Sequence, residues 1–151
     1  APVYIAWGQK NRSAYVRVPE YQPGREKATR IELRAADPGC NMYLTYSVML
    51  RAGLDGISRG LEPPAPIEEN IYRMSGSRQR KLGIRILPRG LDEATRTMEK
   101  SDLIKETLGA DLFEKFIANK RQEVADYRKN VSTEYDKQVS SYEIERYLPF
   151  L

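Results

Sequence analysis

The chain has 151 residues, one domain by length, and its 40% hydrophobic and 30% charged residues fit a soluble globular protein. It contains no histidine, which excludes His-based catalysis and His metal clusters within the chain, and one cysteine, Cys40, which excludes an internal disulfide and suits a reducing cytosol. The net charge of +4 and sequence pI near 9.2 admit an anionic partner such as nucleic acid, anionic lipid or a phosphorylated small molecule, while no apolar run approaches the ~18–20 residues that span a bilayer.

The N-terminus, Ala1-Pro2-Val3-Tyr4, has neither a basic n-region nor a signal-type apolar stretch, and without an initiator Met the chain is expected to be cut from a longer one. Val3 to Trp7 is a β-branched and aromatic run ending at Gly8, and Ala14 to Val18 alternates and stops at Pro19. Both read as strands. Pro23-Gly24 marks a turn. Thr29 to Ala35 alternates most cleanly, with Ile31, Leu33 and Ala35 on one face and Arg30, Glu32 and Arg34 on the other.

Asp37-Pro38-Gly39 breaks the chain, and Met42 to Ile57 reads as a helix apolar nearly all round, hence buried. Residues 59–70, with Pro63, Pro64 and Pro66, read as a surface loop. The basic segment Ile71 to Arg89 has no clear period, though Ile84 to Pro88 could be extended. Helices open at Gly90-Leu91 and at Ser101-Asp102, the second ended by Gly109. From Ala110 the spacing of Phe113, Phe116, Ile117, Val124, Tyr127, Val131, Tyr135 and Val139 predicts one long amphipathic helix, or two joined near Val131-Ser132. Ser140 to Glu143 looks like a cap for a last helix to Leu148. Strands first and helices after predict an α+β fold, with short antiparallel strands in the N-terminal third.

From Lys10 to Arg34 there are seven basic residues (Lys10, Arg12, Arg17, Arg25, Lys27, Arg30, Arg34) against three acidic ones (Glu20, Glu26, Glu32). A face of Arg30, Glu32 and Arg34 reads either as a solvated edge or as a pocket wall. In a pocket the carboxylate could hold a divalent cation, with guanidinium groups on either side for phosphate or carboxylate.

Asn11-Arg12-Ser13-Ala14-x-x-Arg17-x-Pro19, Lys27-x-x-Arg30-x-Glu32-x-Arg34, Asp37-Pro38-x-x-Asn41-x-Tyr43-Leu44 and Ala52-Gly53-Leu54-Asp55-Gly56-Ile57 together resemble the C-terminal half of the glutamine synthetase signature. Val139-Ser140-Ser141-Tyr142-Glu143-x-x-Arg146-Tyr147-Leu148 is similar to the tail of type I enzymes of that family. The resemblance implies the C-terminal part of a single catalytic domain of guanido-kinase-like fold, strand-rich over 1–36 and helical over 42–151. The N-terminal β-grasp domain and the first part of the catalytic domain would lie upstream.

The resemblance also implies an activity: ATP-dependent ligation of glutamate and ammonia to glutamine through γ-glutamyl phosphate, with ATP and Mg²⁺ or Mn²⁺. By position, Arg12 matches a catalytic residue that contacts both nucleotide phosphate and glutamate. Arg17, Lys27 and Arg30 match ATP-binding positions, Arg34 the glutamate-binding arginine, and Glu32 a metal ligand. It further implies a cytoplasmic homododecamer of two hexameric rings, with no nucleic-acid or membrane partner. Alone, the chain is expected to be inactive. The sequence departs from the pattern at Met42, where the family usually has proline, and at Ala35-Ala36. The family's loop glutamate falls just ahead of Ala1-Pro2.

Two alternatives remain at this level: a γ-glutamyl ligase using another amine, and a non-catalytic anion- or nucleic-acid-binding module using basic stretches such as Arg73 to Arg89. Tyr72 falls near a tyrosine that some bacterial members adenylylate, and reads as an ordinary loop tyrosine. The sequons Asn11-Arg12-Ser13 and Asn130-Val131-Ser132 read as chance, and Cys40 as an incidental thiol.

Overall fold

A computed structural model of the chain describes residues 2–131 and 139–150. In chain order the elements are β1 (Tyr4–Gly8), β2 (Ala14–Arg17), β3 (Glu32–Leu33), α1 (Met42–Ser58), α2 (Gly76–Lys81), β4 (Arg85–Ile86), α3 (Leu91–Glu99), α4 (Asp102–Leu108), α5 (Ala110–Asn130) and α6 (Ser141–Tyr147), with short 3-10 turns at Glu26–Ala28, Ile71–Arg73 and Leu148–Phe150. They form two compact units: Ala1–Ala36 with Glu62–Leu87, and Asp37–Leu61 with Pro88–Leu151. The strands lie in the first unit, together with α2, and α1, α3, α4, α5 and α6 lie in the second, an α+β arrangement.

The first unit is a mixed sheet in the order β3-β2-β1-β4. β2 pairs antiparallel with β3, and β1 antiparallel with β4, but β1 and β2 run parallel, with Tyr4 beside Ala14 and Gly8 beside Arg17. The expected sheet was antiparallel throughout. The difference lies in residues 9–13, which double back along β1 in far less than the roughly dozen residues a parallel crossover usually takes. Ala14, Ile71 and Ile84 form the core here, with Tyr4, Ala6, Ile67 and Met74 packed on it.

The strand expected over Thr29 to Ala35 contracts to Glu32–Leu33. Its partner is the limit. Val16 and Arg17 face Leu33 and Glu32, and the Arg34 N–H donates to the Tyr15 carbonyl at 2.9 Å, but Pro19 closes β2 on the other side. Ile31, assigned to an apolar inner face, is 69% exposed.

In the second unit, α1 packs on α4, and α3 and α4 on α5, which buries Phe113 and Ile117. Ser101 Oγ caps α4 by accepting the Ile104 N–H, and Gly109, at φ 75°, turns the chain from α4 into α5. Ser140 and Glu143 form a capping box at α6. α5 ends at Asn130, and the continuation expected through Tyr135 lies outside the described residues.

Helix α1 corrects an expectation. It forms where the spacing places it, but none of its residues is buried, and Tyr43 and Ile57 are 83% and 79% exposed. One neighbouring helix covers one stripe, whereas a helix apolar all round needs cover on every side.

At the other end of this unit the Tyr147 hydroxyl donates to Glu123 Oε1 at 2.6 Å, while Lys120 pairs with the other oxygen at 2.7 Å. Burial, with the adjacent Glu123 carboxylate, pushes the Tyr147 phenol up to about 12. A raised folded-state value means this contact stabilises fully below the unfolded tyrosine value of 10.0 and is lost as pH rises toward about 12. Burial also raises the Tyr15 phenol, so an ultraviolet absorbance titration should show a late-ionising tyrosine phase that Tyr147→Phe diminishes.

Candidate functional site

All six residues singled out by the sequence lie in the first unit. The β2–β3 register sets Arg17 opposite Glu32. Arg17 Nη1 donates to Glu32 Oε2 at 2.9 Å, and Arg30 donates to Oε1 through Nη2 at 2.7 Å and Nε at 3.1 Å. One carboxylate thus holds two guanidinium groups, each retaining further N–H donors. The Arg17 guanidinium, seconded by Arg30, holds the Glu32 carboxyl below the usual carboxylate range.

Arg17 and Arg30 line a cleft of about 340 Å³ together with Lys10, Glu20, Tyr21 and Arg25. Its volume lies in the range of small-molecule sites. Lys10 pairs with Glu20 at 2.9 Å. Tyr21 and the Gly24 N–H both donate to Glu26 Oε1, which fixes the turn that carries Arg25. Lys10, Tyr21 and Arg25 were not among the expected site residues. The excess of basic residues after Lys10 was the available signal, but only the folded turn shows which of them face the cleft.

The other expected residues sit apart from this cleft. Arg34 donates from Nη1 to the Arg12 carbonyl, tying β3 to the β1–β2 connection. Arg12 itself is exposed, between buried Asn11 and Ser13, and makes no ion pair among the described residues. Lys27 is exposed on the 3-10 turn and does not line the cleft.

Asn11 explains how the exposed arginine is held. Its side-chain N–H₂ donates to the Ile67 and Glu69 carbonyls at 2.7 and 2.8 Å. Its oxygen accepts from the Ser13 N–H at 2.9 Å and the Ser13 hydroxyl at 2.5 Å. Every donor and both lone pairs of the amide are satisfied. Asn11→Asp keeps the shape but points carboxylate oxygen at two carbonyls in a residue only 5% exposed. It should destabilise the fold by about 2–4 kcal/mol, read as a lower midpoint in urea unfolding. An unchanged midpoint would show that this amide is not held as described.

The arrangement suits a phosphorylated or carboxylate ligand, since guanidinium and ammonium groups dominate the cleft. A metal is another matter. Among the described residues no group of three or more Cys, Asp or Glu side chains gathers to hold an ion, and both Glu32 oxygens already accept from guanidinium groups. A hard divalent cation takes about six oxygen ligands. The described residues therefore do not make a metal site by themselves. The alternative basic segment is partly neutralised: Arg78 pairs with Glu69. No helix among the described residues is long and apolar enough to cross a membrane.

Comparison with known proteins agrees with this α+β fold. The family described as glutamine synthetase, catalytic domain, matches residues 1–147. The chain is 45% identical over 148 residues to a glutamine synthetase of Thermotoga maritima, covering 98% of this chain and 31% of that protein. It is 42% identical over 151 residues to that of Pyrococcus furiosus, covering 97% and 34%. A solved structure described as apo GmaS without ligand superposes with a TM-score of 0.71 at 31% identity, over 97% of this chain and 30% of that one. The chain belongs to the glutamine synthetase catalytic-domain family, and it spans about a third of the length of these relatives.

Proposed function

We propose that this chain forms part of the ATP and glutamate site of a cytoplasmic ATP-dependent ligase that makes glutamine from glutamate and ammonia through γ-glutamyl phosphate. The observation that carries the reading is the Glu32 carboxylate holding Arg17 and Arg30 at the wall of a basic cleft. Phosphoryl transfer asks a protein mainly for positioning and for neutralisation of phosphate charge, and two guanidinium groups fixed by one carboxylate suit both tasks.

Arg17 and Arg30 take nucleotide phosphate; Lys27, outside the cleft wall on the 3-10 turn, is assigned to the nucleotide by the family resemblance alone. Arg12 acts on both substrates, from the connection between β1 and β2. Arg34 takes the glutamate carboxylate. The family resemblance assigns Glu32 to a divalent metal, which would neutralise phosphate charge when bound. That assignment requires oxygen ligands from beyond the described residues. The exposed apolar residues of α1, Met42, Tyr46 and Leu50 among them, suit cover by protein beyond the described residues, and the family resemblance supplies the remaining part of the reading, a homo-oligomer of two hexameric rings.

A coupled assay of ADP release tests the reading in the protein that carries this chain. ADP release should require both glutamate and ammonia. Release with another amine and not with ammonia would replace the ligase by its relative with a different acceptor. No release with any amine would reject it.

A further inference from the structure

We propose that residues 64–71 act as a strap that sets the backbone of residues 8–13 and thereby the position of Arg12, with Glu68, Asn11 and Ser13 as positioning residues. The inference rests on the reading of Arg12 as a residue that contacts substrate. From sequence this segment looked like a plain surface loop.

The strap lies along the end of β1 and the short return that follows it. Trp7 Nε1 donates to the Pro64 carbonyl at 2.6 Å, and the Ile67 N–H donates to the Trp7 carbonyl at 2.8 Å. The approach at Gly8 is so close that a Cβ there would stand 2.5 Å from the Ile67 oxygen, so only glycine fits. Glu68 then uses both carboxylate oxygens on the next two backbone groups, Gln9 N–H at 2.7 Å and Lys10 N–H at 3.0 Å. Asn11 holds the Ile67 and Glu69 carbonyls, and Ser13 Oγ accepts the Ile71 N–H at 3.0 Å.

Every residue of the return other than Arg12 is therefore fixed by a polar contact involving the strap. Arg12 is the residue left exposed between two buried anchors, with its own carbonyl held by Arg34. A turn pinned on both sides of one cationic residue fixes the backbone from which its side chain extends, which is the first requirement of positioning for phosphoryl transfer. The same contacts reach the cleft, because the Gln9 carbonyl fixed in this way accepts Arg17 Nε at 3.3 Å.

Glu68 is the residue to test, because it is exposed and its removal empties no core. In the protein that carries this chain, Glu68→Ala should lower kcat/KM by about tenfold to a hundredfold, as misplacement of a positioned group does, with melting changed by only a few degrees. Glu68→Gln, which keeps one acceptor oxygen, should lose less. The decisive comparison is a double-mutant cycle with Arg12→Ala. If Glu68 acts through Arg12, Glu68→Ala should cost less than about threefold in the Arg12→Ala background; where that background has no measurable turnover, the same cycle is read in the Kd for ATP. An equal loss in both backgrounds, or no loss in either, would overturn the strap. If Arg12→Ala alone changes neither kcat/KM nor Kd, it is the assignment of Arg12 that falls.

Discussion

The purified 151-residue chain is expected to give no glutamate-dependent ADP release with ammonia and Mg²⁺ or Mn²⁺. The physical reason is the shortage of oxygen ligands. Glu32 has both oxygens on guanidinium groups, and among the described residues no other carboxylates gather near it in a metal-binding group. A family that uses a divalent cation needs it to share the phosphate charge with arginine in the transition state. Under the proposed roles, Arg17 and Arg30 would contact phosphate without the metal, so weak ATP binding should survive while turnover does not. Sustained turnover by the isolated chain would show that carboxylates read as surface groups complete the site.

The second large effect is expected at Arg34. Its guanidinium reaches the Arg12 carbonyl from β3, and its own N–H holds β3 to β2. Under the proposed role it also pairs with the glutamate carboxylate. Arg34→Ala in the protein that carries this chain should raise the glutamate requirement by about 30- to 1,000-fold, the range for losing a desolvated charge-assisted pair worth ~2–4 kcal/mol. The ATP requirement should change far less. Steady-state titration of each substrate separates the two, and an unchanged glutamate KM would remove Arg34 from the substrate site. Arg34→Lys should recover little, because an ammonium cannot reproduce the two-pronged guanidinium contact.

The helical part was legible where the signals are local. Gly109 ends α4, Ser140 and Glu143 cap α6, and Phe113 with Ile117 mark the buried side of α5, each through chemistry within a turn or two of chain. The class of fold and the family also followed from the order of elements and from the spacing between Asn11 and Ile57.

What the sequence hid depends on partners distant in the chain. The alternation of Thr29 to Ala35 is real, but Pro19 limits how much of it pairs. The apolar circumference of α1 signals burial without saying what covers it, and its own unit covers one stripe. The clamp between Glu68 and Gln9 spans 59 residues, and no periodicity encodes it. The small polar pair around Arg12 was its one trace. Asn11 and Ser13 were read as part of a motif, although two small polar residues flanking a cation also serve as turn anchors.

The most direct measurement is calorimetric titration of ATP into this chain in metal-free buffer, beside a variant carrying Arg17→Ala and Arg30→Ala and a control carrying Arg73→Ala and Arg89→Ala. If the cleft lined by Arg17 and Arg30 is the nucleotide site, the first variant should lose binding by at least about tenfold, since each arginine supplies charge-assisted contacts of roughly 1.5–3 kcal/mol. The control, with two fewer charges outside the cleft, should bind as the unaltered chain does. Equal affinities in all three, or a larger loss in the control, would contradict the assignment of the cleft to ATP.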